Sequence, residues 1–182
     1  DAVRLREILE SMSTVGIIGT GYIGLEIAEA FRFRSKDVIM IGRSSYPLRK
    51  SLDEDVGRII TNELIKYGVK LRLNERLLEI NSQGNKQVII TDGGKYVVDA
   101  VIIATGIRPN IELARQLGLR IGETGAVWVD EHMRTSAENV YAAGDVAETK
   151  NLITGKPYWH PFGTTANKMG FVAGSNIAGK PM

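Results

Sequence analysis

The stretch GIIGTGYIGLEIAEAF, residues 16 to 31, sets three glycines between an apolar run and an amphipathic one. Gly19, Gly21 and Gly24 follow the spacing G-x-G-x-x-G, and the flanking residues give that spacing a structural place. TVGIIG (14–19) reads as a buried strand. From Tyr22 to about Arg34 apolar residues recur every three or four positions, which predicts a helix, and DVIMI (37–41) reads as the next strand. Strand, glycine turn, helix and strand in this order predict a βαβ unit with a parallel sheet. Each glycine has its own task. Gly19 allows the sharp exit from the strand, Gly21 lets a pyrophosphate approach the backbone, and Gly24 lets the helix lie close on the sheet. The helix start then offers free N–H groups and a partial positive charge to the phosphates. Glycines also ease a tight crossover that binds nothing, but the complete order of elements favours a dinucleotide. Gly19, Gly21 and Gly24, with Ile23 between them, are therefore candidate cofactor contacts.

The next question is the ribose. A carboxylate about 20 residues on, at the end of the second strand, normally accepts the adenosine 2′-hydroxyl. Eighteen positions after Gly24 stands Gly42, followed by Arg43, Ser44 and Ser45, with no carboxylate among them. Arg43 with Ser44 suits a 2′-phosphate through charge-assisted hydrogen bonds, which points to NADPH. The alternative is a solvated Arg43 and NADH held without the usual carboxylate. Both remain open at this point.

Beyond the second strand, SLDEDVGRIITNELIKYG predicts a helix with Ser51 as N-cap and Gly68 at its stop. VKLRL, RLLEIN, KQVIIT and KYVVDAVIIAT are short strands separated by SQGN and DGG, which read as hairpin turns. A parallel start thus gives way to an antiparallel meander and returns to a buried strand, AVIIAT (100–105). A helix near 111–117, strands AVWVD (126–130) and VYAAGD (140–145), and a closing helix over 161–178 follow. Residues 2–11 predict a short amphipathic helix with Val3, Leu5, Ile8 and Leu9 on one side.

Composition narrows the chemistry. The 182 residues are 43% hydrophobic and 24% charged, as in an ordinary soluble globular protein. A net charge of +2, without basic runs interleaved with aromatics, suits an anionic cofactor and not nucleic acid. No apolar run approaches membrane-spanning length, so a cytoplasmic location without membrane association is the default expectation. With no cysteine, these residues offer no disulfide, thiolate metal site or cysteine nucleophile. His132 and His160 are the two histidines, and each reads as an ordinary surface or packing residue. No catalytic side chain and no metal site is expected here.

GTGYIGLEIAEAF, DAVIIATGIRPN (99–110) and NVYAAGDVAE (139–148) fall in the order and spacing of a known family. The chain resembles the flavoproteins with two dinucleotide-binding domains, the pyridine nucleotide–disulfide oxidoreductases. YWHPFGTTANKMGFVAGSNIAG (158–179) is most similar to their coenzyme A disulfide reductase, NADH oxidase and NADH peroxidase branch. The resemblance implies an FAD domain interrupted by an NAD(P) domain and followed by a dimerisation domain, with a homodimer as the assembly. It divides this chain into a connecting helix (1–11), a Rossmann-like NAD(P)-binding domain (12–122) and the carboxyl-side portion of an FAD-binding domain (123–182). An FAD fingerprint and a redox cysteine would lie in an amino-terminal region not contained in these residues. A fragment of this kind is expected to be inactive alone, with residues 123–182 self-associating or rearranging.

The resemblance also implies roles. Tyr22 corresponds to the residue covering the flavin face where nicotinamide stacks, and Glu26 to the acid near the nicotinamide carboxamide. Gly106 ends a parallel strand at the ligand crevice, and Asp145 of AAGD corresponds to the aspartate that binds the FAD ribityl chain. The implied reaction passes hydride from NAD(P)H to FAD and then to a disulfide, oxygen or peroxide. A free-standing NAD(P)-sensing module without flavin, and a ferredoxin-type reductase of the same superfamily, are the alternatives.

Overall fold

The computed structural model describes residues 3, 6–7, 9–180 and 182. Of the helix expected over 2–11, residues 2, 4, 5 and 8 lie outside that description; Val3, Arg6 and Glu7 are helical, and residues 9–11 form a turn. The chain forms two compact units, Asp1–Gly106 and Ile107–Met182.

In the first unit β1 (Thr14–Ile18), α1 (Tyr22–Phe33), β2 (Asp37–Gly42), α2 (Glu54–Lys66) and β3 (Val69–Leu73) alternate as the periodicities predict. β4 (Leu77–Gln83), β5 (Lys86–Thr91) and β6 (Lys95–Val98) then precede β7 (Ala100–Ile103). The four-stranded sheet runs in the order β3-β2-β1-β7, with every pair parallel. β4, β5 and β6 form a separate antiparallel meander.

Alternation along β1 explains how both faces are covered. Val15 and Ile17 are completely buried in one cluster with Ala28 and Phe31 of α1 and with Val38 and Met40 of β2. Ile18 belongs to the other face, where it packs with Ile41 and with Ile89 and Val98 of the meander. Gly16 shares that face, and a Cβ there would overlap the Ile89 side chain, so the meander seats directly on the strand. Burying an aliphatic side chain this fully contributes roughly 1.5–3 kcal/mol. The expected strand KYVVDAVIIAT breaks at Asp99, because the carboxylate there accepts the Ser13 and Thr14 amides, both at 2.8 Å, and pairs with Lys86. The chain thereby leaves the meander and enters the parallel sheet beside β1.

The N-cap of α2 is Asp53 and not Ser51. Ser51 is instead taken into a turn, its amide donating to the Leu48 carbonyl at 2.7 Å.

The second unit holds α3 (Glu112–Gln116), β8 (Val127–Trp128), β9 (Ala147–Lys150), β10 (Pro157–Tyr158) and α4 (Gly163–Ile177). Its sheet runs β10-β9-β8, with β9–β10 antiparallel and β8–β9 parallel. Two expectations need correction. AVWVD shortens to the two residues of β8, and VYAAGD is not a strand. Only Tyr141 makes an isolated bridge, to Arg134, and Gly144 at φ +80° opens a 3-10 turn over Gly144–Val146. Its apolar residues are half-buried by packing instead, Val140 and Ala142, with Val146 just beyond them, against Ala114, Leu119 and Val127. Through the same cluster α3 and Leu119 pack within the second unit.

Candidate functional site

β1 has β2 on one side and β7 on the other, so the chain leaves β1 in one direction and returns to its opposite edge. Such a reversal opens a crevice at the carboxyl ends of the strands, where ligands of α/β sheets bind. The glycine turn begins there. Gly19 has φ +118°, a value side chains rarely adopt, and a Cβ on it would overlap the Ala104 carbonyl beyond β7. Its amide donates to the Ile41 carbonyl at 2.8 Å. A Cβ at Gly24 would in turn overlap the Gly19 carbonyl. Turn, helix and two neighbouring strands are thus at contact distance through backbone alone.

Gly21 is the N-cap of α1, and among the described residues no side chain caps this helix. Among the same residues nothing lies within 4 Å of the place where its Cβ would be. The first-turn N–H groups of a helix have no partner within it, and its dipole favours an anion at this end. The space over Gly21 is therefore a cradle open to a phosphate. Tyr22 and Ile23 are 43% and 45% exposed, and Glu26 is exposed one turn after Tyr22, on the same side of the helix.

The loop after β2 is bound to this turn. The Leu48 amide donates to the Thr20 carbonyl at 3.0 Å, and Pro47 is fully buried. A Cβ at Gly42 would come within 2.6 Å of Thr20 Cγ2, so the turn leaves no room there for the usual carboxylate. Arg43 is exposed and Ser44 half-buried. Their flanking carbonyls, on Gly42 and Ser44, accept the amides of Glu75 and Asn74 at 3.1 and 3.2 Å.

Gly106 follows β7 with φ +131° and open space around its missing Cβ, so conformation and not crowding calls for glycine. Asp145 belongs to the second unit. It lies exposed in the 3-10 turn, and its carbonyl accepts the Trp159 indole N–H at 2.8 Å. The structure accordingly gathers Gly19, Gly21, Tyr22, Ile23, Gly24 and Glu26 on one turn and helix, with Arg43 and Ser44 on the loop bonded to it.

His132 Nδ1 lies 2.7 Å from the Met182 carbonyl oxygen, and the His160 ring stacks between Tyr158 and Phe162. Among the described residues no group of three His, Asp or Glu comes together to hold a metal ion. Three residues at the site escape a sequence reading: Thr20, which excludes a side chain at 42, and Asn74 and Glu75, which hold the Arg43 loop. Their signal is long-range hydrogen bonding, which no local pattern announces.

Comparison with known proteins gives a consistent result. The family described as pyridine nucleotide-disulphide oxidoreductase matches residues 1–166. A CoA-dependent NAD(P)H sulfur oxidoreductase of Pyrococcus furiosus is 57% identical over 182 residues, covering 99% of this chain and 41% of the relative. The chain thus spans well under half the length of the curated relatives it matches. The structure of an NAD-dependent persulfide reductase from A. fulgidus superposes with a TM-score of 0.91 at 42% identity, covering 100% of this chain and 34% of that one. An engineered water-forming NADPH oxidase bound to NADPH also gives 0.91, at 32% identity over 100% of this chain and 40% of its own. In that oxidase an aspartate is replaced by alanine, the next two residues by arginine and serine, and a proline five positions beyond the serine by arginine. A glycine eighteen positions before the aspartate is replaced by alanine.

Proposed function

The chain belongs to the pyridine nucleotide-disulphide oxidoreductase family, and from that premise we propose that it is the NAD(P)H-binding portion, with part of the flavin domain, of an FAD-dependent oxidoreductase. The uncapped helix start over Gly21 carries the proposal. It offers backbone donors, an open approach and a favourable dipole where the topology puts a ligand crevice.

On this reading the unit Asp1–Gly106 is the nicotinamide-nucleotide domain. The first-turn amides of α1 hold the diphosphate, with Gly19 and Gly21 keeping side chains out of its way. Tyr22 and Glu26, exposed on the same side of the helix, take the flavin-covering and carboxamide-orienting roles that the family resemblance implies. Asp145, in Ile107–Met182, binds the ribityl chain of FAD, and Gly106 lines the crevice. When bound, nicotinamide and flavin supply the hydride-transfer chemistry themselves; this chain binds and orients them. The full-length protein is read as a homodimer.

The 2′ position reads as able to take a phosphate. Gly42, Arg43 and Ser44 follow Gly24 at the interval that separates the substituted glycine from the alanine, arginine and serine of the engineered NADPH oxidase. Arg49 stands five positions beyond Ser44, matching its second arginine. This supports NADPH binding by Arg43, Ser44 and Arg49. Gly24, still glycine where that oxidase carries alanine, leaves NADH acceptable too. For the final acceptor the more similar relatives favour sulfur: a sulfur oxidoreductase at 57% and a polysulfide/persulfide reductase at 53% identity, against an NADH oxidase at 43%.

Anaerobic addition of NADPH or NADH to the full-length protein tests this. The flavin absorbance band bleaches with either cofactor and returns on adding a persulfide, with release of sulfide. A protein purified without flavin, or a flavin that neither cofactor reduces, overturns the proposal.

A further inference from the structure

The loop carrying Arg43 is held from behind by a network that reaches into the meander. The amides of Glu75 and Asn74 donate to the carbonyls on Gly42 and Ser44, the residues on either side of Arg43. Asn74 sits at φ +58°, turning the chain out of β3 so that both amides meet the loop. The Glu75 side chain makes a second set of bonds. Its carboxylate accepts the Thr91 hydroxyl at 2.6 Å and the Tyr96 hydroxyl at 2.8 and 2.9 Å. Thr91, 6% exposed, is itself fixed, its hydroxyl oxygen accepting the Gly93 and Gly94 amides at 3.2 and 3.0 Å. A Cβ at Gly93 would fall 2.6 Å from the Glu75 carboxyl carbon, so a glycine there makes room for the carboxylate. The Arg72 guanidinium lies 5.5 Å from the Tyr96 ring centre, on the strand leading into Asn74. Burial first, and then the bond to Glu75, holds the Tyr96 phenol above its ordinary pKa, so it remains a hydrogen-bond donor.

We propose that Glu75 is a positioning residue for the adenosine 2′ subsite, acting through the Asn74–Glu75 backbone on the pose of Arg43 and Ser44. The inference rests on the reading of Arg43 and Ser44 as 2′-phosphate ligands and adds what sets them. A long cation on a loose loop must be ordered when the phosphate binds, and that ordering weakens affinity. Here the meander orders the loop in advance, through one carboxylate that accepts hydrogen bonds from two hydroxyls. A carboxylate that merely fastens β3 to the meander would serve stability alone, and losing it would weaken every adenosine ligand alike.

The discriminating probes are 2′,5′-ADP and 5′-AMP, which differ by the 2′-phosphate, titrated calorimetrically into the full-length protein. Glu75→Ala weakens 2′,5′-ADP about fivefold and 5′-AMP less than about twofold, the scale of one side chain's lost preorganisation. Glu75→Gln restores most of the loss, because its amide oxygen still accepts both hydroxyls. Should the alanine variant fail to fold, Tyr96→Phe moves the same ratio in the same direction to a smaller extent. Equal weakening of both probes, or of neither, overturns the positioning role. Arg43→Ala separates the two levels. If it leaves the probe ratio unchanged, the 2′-phosphate reading fails and the inference falls with it; if it narrows the ratio while Glu75→Ala does not, the inference alone fails.

Discussion

At the end of β2, Gly42 stands where dinucleotide sites normally keep a carboxylate, and the reason lies in the preceding turn. Thr20 fills the space a side chain at 42 would need. The first side chain able to reach the ribose is then that of Arg43, which is exposed and cationic. A hydrogen bond from a charged group contributes about 1.5–3 kcal/mol. Arg43→Ala is therefore expected to lower the ratio of NADPH to NADH affinity by roughly tenfold or more. Dissociation constants for both cofactors, with wild type and variant, measure it. An unchanged ratio makes Arg43 a solvated loop residue.

At the scale of elements, the fold's clearest joint is the one between meander and parallel sheet. Asp99 holds it by accepting the Ser13 and Thr14 amides where β1 begins. Its pKa is lowered from 3.8 to about 2, chiefly by the hydrogen bond from Lys86 and then by the Thr14 and Ser13 amides. A carboxylate depressed in the folded state contributes stability above its unfolded pKa and loses it as protonation proceeds. The contribution of Asp99 is thus present at neutral pH and fades between about pH 4 and pH 2. Asp99→Asn should be less stable than wild type at neutral pH, with the gap closing across that window in denaturant titrations. A gap independent of pH contradicts the role. This joint was only partly legible in the sequence. The return to a buried strand at Ala100 was, but the break at Asp99 depends on amides far away in the chain. β1, α1 and β2 were legible nearly to the residue, because Gly19, Gly21 and the switch from alternating to helical spacing are local signals. VYAAGD misled because an apolar run is buried equally well by side-chain packing as by a ladder, and Gly144 bends it. The site divides likewise. Its glycines and Arg43 stand out by spacing, whereas Thr20, Asn74 and Glu75 act through contacts that only the folded chain brings together.

For the molecule as a whole, two compact units carry two different halves of the proposed chemistry, and relatives of this chain are more than twice its length. Among the described residues no helix is long and apolar enough to cross a membrane. What unites the readings at every scale is one physical arrangement: an uncapped helix start, cleared of side chains, at a reversal of strand order. A crystal structure of the full-length protein with NADPH tests that most directly. The diphosphate should lie on the amides that open α1, above Gly21, with the 2′-phosphate against Arg43 and Ser44. A diphosphate bound elsewhere, with the glycine turn occupied only by solvent, would contradict it.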